Sequence, residues 1–188
     1  MKIEKIKLAK SLKMALLLVS SLLIASVSAA VYNSLTLKSQ ISIQTQPVQF
    51  TNGADTPSGS TVNPTYCVLS LSCYPNSTTT YEKAVNITNT DTSPHDIRLR
   101  HVSISPNGTS DVGNFTSITF YLLDASGNQQ ASMTYTTSNN TWSVSPSETS
   151  YVSIPGGNTN WTIKVVIVTS ENAQANISCN IEMALDVK

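Results

Sequence analysis

From residue 31 onward the chain alternates between apolar and polar positions. In "VYNSLTLKSQISIQT", Val31 to Thr45, the odd positions carry Val31, Leu35, Leu37, Ile41 and Ile43, while the even positions carry Tyr32, Ser34, Thr36, Lys38, Gln40, Ser42 and Gln44. A period of two predicts a strand with one apolar face. At fifteen residues it is well beyond the usual strand, which runs about 5–6.

The same pattern continues in shorter pieces. "PTYCVLSLSCY" (64–74) is an apolar run, and "YEKAVNITNT" alternates through Tyr81, Val85 and Ile87. "HDIRLRHVSI" alternates through Ile97, Leu99 and His101, then shifts parity to Val102 and Ile104, which predicts a bulge or a bend. "FTSITFYLLD" meets "QASMTYTT" across a turn at Gly127-Asn128. "TWSVS" and "TSYVSI" are broken by Pro146 and followed by the "PGGN" break at 155–158. "WTIKVVIVT" (161–169) reads as a strand buried on both faces, and "NISCNIEMALDV" places Ile177, Cys179, Ile181, Met183 and Leu185 on one face. Residues 51–64 read as a loop. No window after residue 30 keeps a 3.6-residue period for three turns. Short strands at regular spacing predict an all-β chain, a single jelly-roll-like β-sandwich.

The first thirty residues are different. Lys2, Lys5, Lys7, Lys10 and Lys13 precede "MALLLVSSLLIASV" and the small residues "SAA". A basic start, a short apolar stretch and a small-residue exit predict a secretory signal helix, cleaved near Ala29 or Ala30. The apolar stretch is shorter than a comfortable membrane span, so a retained anchor is the lesser alternative. No cysteine follows it to support a lipoprotein anchor, and a pilin-type leader ranks behind ordinary secretion. The predicted organisation is therefore a signal peptide (1–30), an amphipathic strand (31–46) and a β-sandwich domain (47–188).

Without the leader, six bases (Lys38, Lys83, Arg98, Arg100, Lys164, Lys188) face ten acids. A mildly acidic, sparsely charged chain with no basic patch argues against nucleic acid. Its roughly 158 residues suffice for a core without disulfides or metal. His95 and His101 are six apart, about 20 Å if they share a strand, so they cannot share a metal ion. No HExxH, GxSxG, calcium-loop spacing or phosphate-binding glycine loop occurs. Calcium held between subunits by loop acids such as Asp91, Asp96 or Asp111 has no motif behind it. The expectation is no enzyme and no cofactor.

Cys67 and Cys73 lie beyond disulfide reach if both sit on one extended strand. Either one pairs with Cys179, or all three remain buried thiols. Asn76, Asn86, Asn107, Asn114, Asn139, Asn160 and Asn176 each head an N-x-[S/T] sequon, the candidate glycosylation sites. Chance alone would supply about four in a chain so rich in Asn, Ser and Thr. Lys164, inside an apolar run, is a weak candidate for an isopeptide cross-link against a water-facing or snorkelling lysine.

A lone amphipathic strand must bury its face and pair its backbone. It can do so within its own sandwich or in a groove of the next copy, where ladder bonds and apolar anchors hold neighbour to neighbour. Such a contact is heterologous and propagates. Burying five aliphatic anchors gives a gross gain of about 10 kcal/mol before ordering costs.

The "ASVSAA" leader end, "VYNSLTLKSQISIQT", "AVNITNTDTSPHDIRLRHVSI" and "WTIKVVIVTSENAQANISCNIEMAL" together resemble the exported jelly-roll subunits of archaeal surface filaments of the thread and bundling-pilus type. These are relatives of the bacterial TasA and camelysin matrix proteins. The resemblance implies extracellular fibres built from copies of one chain by donor-strand complementation, glycans as covalent modification, and a role in adhesion or biofilm. It implies a donor strand at Val31–Thr45, anchored by Val31, Leu35, Leu37, Ile41 and Ile43, with membrane contact only during export or through a retained leader. No zinc-protease signature supports the peptidase activity attributed to camelysin-like relatives. The alternative reading is a monomeric secreted or membrane-tethered β-sandwich adhesin or carbohydrate-binding module, with Trp142, Trp161, Tyr135 and Tyr151 as a stacking platform.

Overall fold

The run "WTIKVVIVT" is the spine of the molecule. In the computed structural model, which describes residues 10, 12–18, 46–106, 113–138, 141–177 and 179–188, it lies within an eleven-residue strand, Thr159–Thr169. The chain divides into two compact units, Met1–Ile43 and Gln44–Lys188. In the first, residues 10 and 12–18 are helical with Leu12, Met14 and Leu16 exposed. No helix among the described residues is long and apolar enough to cross a membrane. The predicted Val31–Thr45 strand and the predicted cleavage region lie outside the described residues.

The second unit is all-β. Its strands are β1 (Val48–Asn52), β2 (Thr61–Asn63), β3 (Tyr66–Val68), β4 (Thr78–Asn89), β5 (His95–Pro106) and β6 (Phe115–Leu123). They continue as β7 (Gln129–Ser138), β8 (Thr141–Ser145), β9 (Val152–Ile154), β10 (Thr159–Thr169) and β11 (Cys179–Val187). All pairings among them are antiparallel. A six-stranded sheet runs β1-β4-β10-β6-β7-β8, a three-stranded sheet runs β11-β5-β9, and β2-β3 is a small hairpin. One hydrophobic core joins the two larger sheets: Val85, Ile87, Phe120, Leu122, Met133, Tyr135 and Ile163 from the first meet Ile97, Leu99 and Ile154 from the second.

Three expectations need correction. β10 is buried on one face only: Trp161, Ile163, Val165, Ile167 and Thr169 are buried, while Thr162, Lys164, Val166 and Val168 are half-buried. An antiparallel sheet needs cover on one side alone, and on the other side Lys164 pairs with Glu82 at 2.9 Å. The loop predicted over 51–64 contributes both ends to strands, β1 and β2. The apolar run 64–74 is a strand only at β3. Beyond it, the Ser70 N–H donates to Ser60 Oγ and the Ser72 N–H to Tyr81 Oη, 2.9 Å each. Side-chain hydroxyls take the place of a ladder there.

The parity shift in β5 is a bulge. Ser103 stands opposite Glu182 and His101 opposite Met183, leaving Val102 unpaired and 45 % exposed. The β6–β7 turn is capped by Asp124 Oδ1, which accepts from the N–H groups of Ser126 and Asn128, with Gly127 at φ 83°. These backbone bonds, led by the one from Asn128, hold the Asp124 carboxyl below its ordinary pKa.

One end of the unit is closed by Asn89. Its side-chain amide donates to the carbonyls of Ser93, Ile154 and Pro155 at 2.9, 3.2 and 3.1 Å, and its Oδ1 accepts from the Asp91 N–H at 3.1 Å. The backbone of Gly156 passes so close that an added Cβ would stand 2.2 Å from the Thr92 carbonyl oxygen. At this same end Pro47 accepts from the Thr90 N–H, and Asp96 and Lys188 exchange both backbone bonds. The chain thus reaches β1 at the end where β11 finishes.

Candidate functional site

An edge strand offers unpaired backbone groups to whatever approaches it. Among the described residues the edges of the two larger sheets are β1 and β8, five residues each, and β9 and β11, three and nine. The nine-residue edge is the longest of these, and its core-facing side is incompletely covered. Cys179, Ile181, Met183, Leu185 and Val187 are all half-buried, whereas Ile97 and Leu99 on the adjacent β5 are 0 % and 2 % exposed. Phe50 on β1 and Val62, Leu69 and Leu71 after it are likewise half-buried against the same core.

The outer side of β11 is built differently. Asp186 accepts from Arg98 Nε at 3.0 Å and takes both Arg100 Nε and Nη2, at 2.9 and 3.0 Å. Ser103 donates to Glu182, and Arg98 also pairs with Glu148 at 2.7 Å. Two cations approach the Tyr151 ring, Arg98 and Lys188 at 4.8 and 4.3 Å from its centroid. The Arg100 fork, more than any other contact, holds the Asp186 carboxyl below its ordinary pKa, and Asp186 in turn raises that of Arg100. Charge clamps β11 to β5 on the outer face, leaving the inner face apolar.

A depressed carboxylate contributes stability that is present above its unfolded pKa and lost as pH falls through the folded one. Asp186→Asn should therefore cost about 1 kcal/mol at neutral pH, discounted because the cluster is partly exposed to solvent. The gap to the unmodified protein should close once pH drops below the ordinary carboxylate range. Thermal melts of both proteins across an acid series check this, and a gap that persists undiminished in acid would refute the charge clamp.

The remaining predicted residues fall into structural roles. His95 and His101 share β5 as expected, but His95 pairs with Asp91 at 3.0 Å and His101 Nδ1 meets Tyr135 Oη at 3.1 Å. Asp91 is held below its ordinary pKa, first by that bond to His95, and burial pushes the Tyr135 phenol up to about 12. No three His, Cys, Asp or Glu side chains gather at a metal-binding distance among the described residues. Cys67 and Cys73 carry free thiols whose pKa values burial raises, and Cys179 opens β11. Of the four aromatics considered for a stacking platform, Tyr135 and Trp161 are core, Trp142 packs on Phe115 at 6.0 Å between centroids, and Tyr151 sits in the charge cluster.

The sequons separate clearly. Asn86-Ile87-Thr88 and Asn160-Trp161-Thr162 pair with each other across β4 and β10, each Asn opposite the other's Thr. Thr162 donates to Asn86 Oδ1 and Thr88 to Asn160 Oδ1, while Ile87 and Trp161 face the core. Here alternation on a half-buried sheet writes the N-x-T pattern by itself. Asn114 is buried, and its Oδ1 accepts from the Gln174 N–H. Asn76 and Asn176 are exposed at left-handed turn positions, φ 49° and 64°. Asn107 and Asn139 lie outside the described residues. Sequence reasoning missed the Asn89 tie and the Asp186 clamp, because neither has a local signature.

The chain matches no protein-family model, and no curated protein is significantly similar to it. What the site can do rests on its own geometry: a long open ladder beside half-covered apolar side chains, which is what an added strand would satisfy.

Proposed function

We propose that this chain is a secreted structural subunit of a cell-surface filament, a jelly-roll-like sandwich that polymerises when the Val31–Thr45 strand of one copy completes the β11 edge of the next. The protein is a building element and not an enzyme, working outside the cell in adhesion or biofilm. The observation that carries this reading is that, among the described residues, β11 is paired on one side only and has five half-buried core-facing residues. The fifteen-residue segment is long enough to lie along the nine residues of β11 with link to spare. Its odd-position anchors repeat at the period at which a strand meets an apolar groove.

The donor and acceptor halves can be separated. Met183→Lys places a charge in the middle of the acceptor face while its long stem reaches solvent, so the domain should keep its fold. The variant alone should not polymerise, yet it should still donate its own strand to an unmodified copy and cap one end of growing fibres. Electron microscopy of mixed samples, with circular dichroism to verify folding, reads both effects. A folded Met183→Lys protein that forms fibres at the normal rate would overturn the assignment of β11 as acceptor.

A further inference from the structure

Tyr74 is 80 % exposed, more than any other large apolar side chain described in Gln44–Lys188. Nothing in the fold explains a tyrosine there, and the turn that carries it is unusually well fixed. The Tyr74 carbonyl accepts from Thr169 Oγ1 at 2.8 Å and from Ser77 Oγ. The Ser77 N–H donates to Thr169 Oγ1 at 2.9 Å, and the Asn76 N–H to the Ser170 carbonyl at 3.2 Å. Thr169 itself is buried. An exposed ring and an exposed asparagine two residues later are thus presented by a rigid support.

That asparagine heads the sequon Asn76-Ser77-Thr78, and Thr78 is exposed at the start of β4. No hydrogen bond engages the Asn76 side-chain amide among the described residues. The other described sequons are less open: Asn114 is buried, and Asn86 and Asn160 are engaged with each other's threonines. Asn176 is exposed, but Gln174 stands where Tyr74 stands relative to Asn76. A sugar ring has an apolar C–H face, and an aromatic face is the side chain best suited to cover it. Tyr74 stands two residues before Asn76 on the same turn, whose backbone is left-handed at Asn76 with φ 49°, so the ring is the exposed aromatic side chain close in sequence to the sugar's attachment point.

We infer that Asn76 is a glycan attachment site whose first sugar stacks on Tyr74. The modification forms a bond from Asn76 Nδ2 to the anomeric carbon of an oligosaccharide carried on a phosphate- or pyrophosphate-activated donor. The bond from that carbon to the phosphate oxygen breaks and its electron pair leaves with the phosphate. The amide gives up one proton and keeps the other. The catalyst is an external transferase acting on the exported chain. This inference rests on the export part of the proposed function and is independent of polymerisation.

The test uses full-length protein recovered from the medium of an N-glycosylating host, so failure of export is visible before any sugar is measured. Peptide mass spectrometry should find Asn76 occupied and Asn114 bare. Tyr74→Ala keeps the sequon and removes only a solvent-exposed ring. It should lower occupancy at Asn76 several-fold relative to the unsubstituted protein, and it should shrink the difference in melting temperature between the glycosylated protein and the same protein after enzymatic removal of the sugar. Exported protein with Asn76 bare would overturn the inference. So would a Tyr74→Ala variant in which both occupancy and that melting difference are unchanged, or one that loses only self-association.

Discussion

A chain lacking Val31–Thr45 should be exported, melt within a few degrees of the full-length protein and remain monomeric at concentrations where the full-length protein forms fibres. The expected loss is large because the proposed assembly places its apolar anchors in this one segment. Five aliphatic side chains at about 1.5–3 kcal/mol each, reduced by the cost of ordering the strand, still leave several kcal/mol per contact. Removing about 4 kcal/mol weakens an association about a thousandfold. Ile181, Met183, Leu185 and Val187 are partly buried on the core by described residues alone, so the truncated chain should keep that packing. A synthetic peptide of residues 31–45 should bind the truncated chain with one-to-one stoichiometry and raise its melting temperature, as any ligand of the native state does. Sedimentation velocity and titration with the labelled peptide make the measurement. Fibres from the truncated chain, or a full-length chain that sediments as a monomer at high concentration, would remove the basis of the proposed function.

The second large effect concerns the fold and not assembly. Asn89→Ala should cost about 2–4 kcal/mol, because it strands the carbonyls of Ser93, Ile154 and Pro155 and the Asp91 N–H at a fully buried position. Asn89→Asp should cost more at neutral pH, since a carboxylate would face three carbonyl oxygens. In that variant the buried carboxyl has a raised pKa, so stability should recover as pH falls and the protonated group can donate again. Urea unfolding at two pH values distinguishes the two variants. Equal and small losses in both would mean that the end of the unit is held by the backbone bonds of Thr90, Asp96 and Gly157 alone.

The all-β character was legible because its signal is local. Alternation placed β4, β5, β6, β7 and β11 without reference to partners, and a parity slip at Val102 announced a bulge or a bend, which the pairing resolves as a bulge. Sheet order was not legible, since nothing in "WTIKVVIVT" says that it lies between β4 and β6. The burial of that run was overestimated because β-branched side chains are as welcome on the half-exposed face of an antiparallel sheet as in a core. The segment after β3 defeated the reading for a different reason. Its apolar residues keep the spacing of a strand, but hydroxyls of Ser60 and Tyr81 satisfy its backbone. Of the candidate surface, sequence supplied the apolar side of β11 and structure added that it is an unfinished edge. Among the sequons, sequence could not tell a sheet's ordinary Asn/Thr ladder from an accessible turn.

The arrival of the chain at β1 where β11 finishes has a directional consequence. A segment folding back from Pro47 over its own edge would run parallel to β11, in a unit whose pairs are all antiparallel. Parallel pairs are slightly weaker per residue, and a neighbour's strand is free to take the stronger orientation. In the proposed assembly this orientation favours addition over self-closure, and its product would have two unlike tips, one showing a bare edge and the other a loose strand. A short soluble copy of that strand should act as a chain terminator at the first tip and, in excess, should also occupy the edges of the free subunits that the second tip needs.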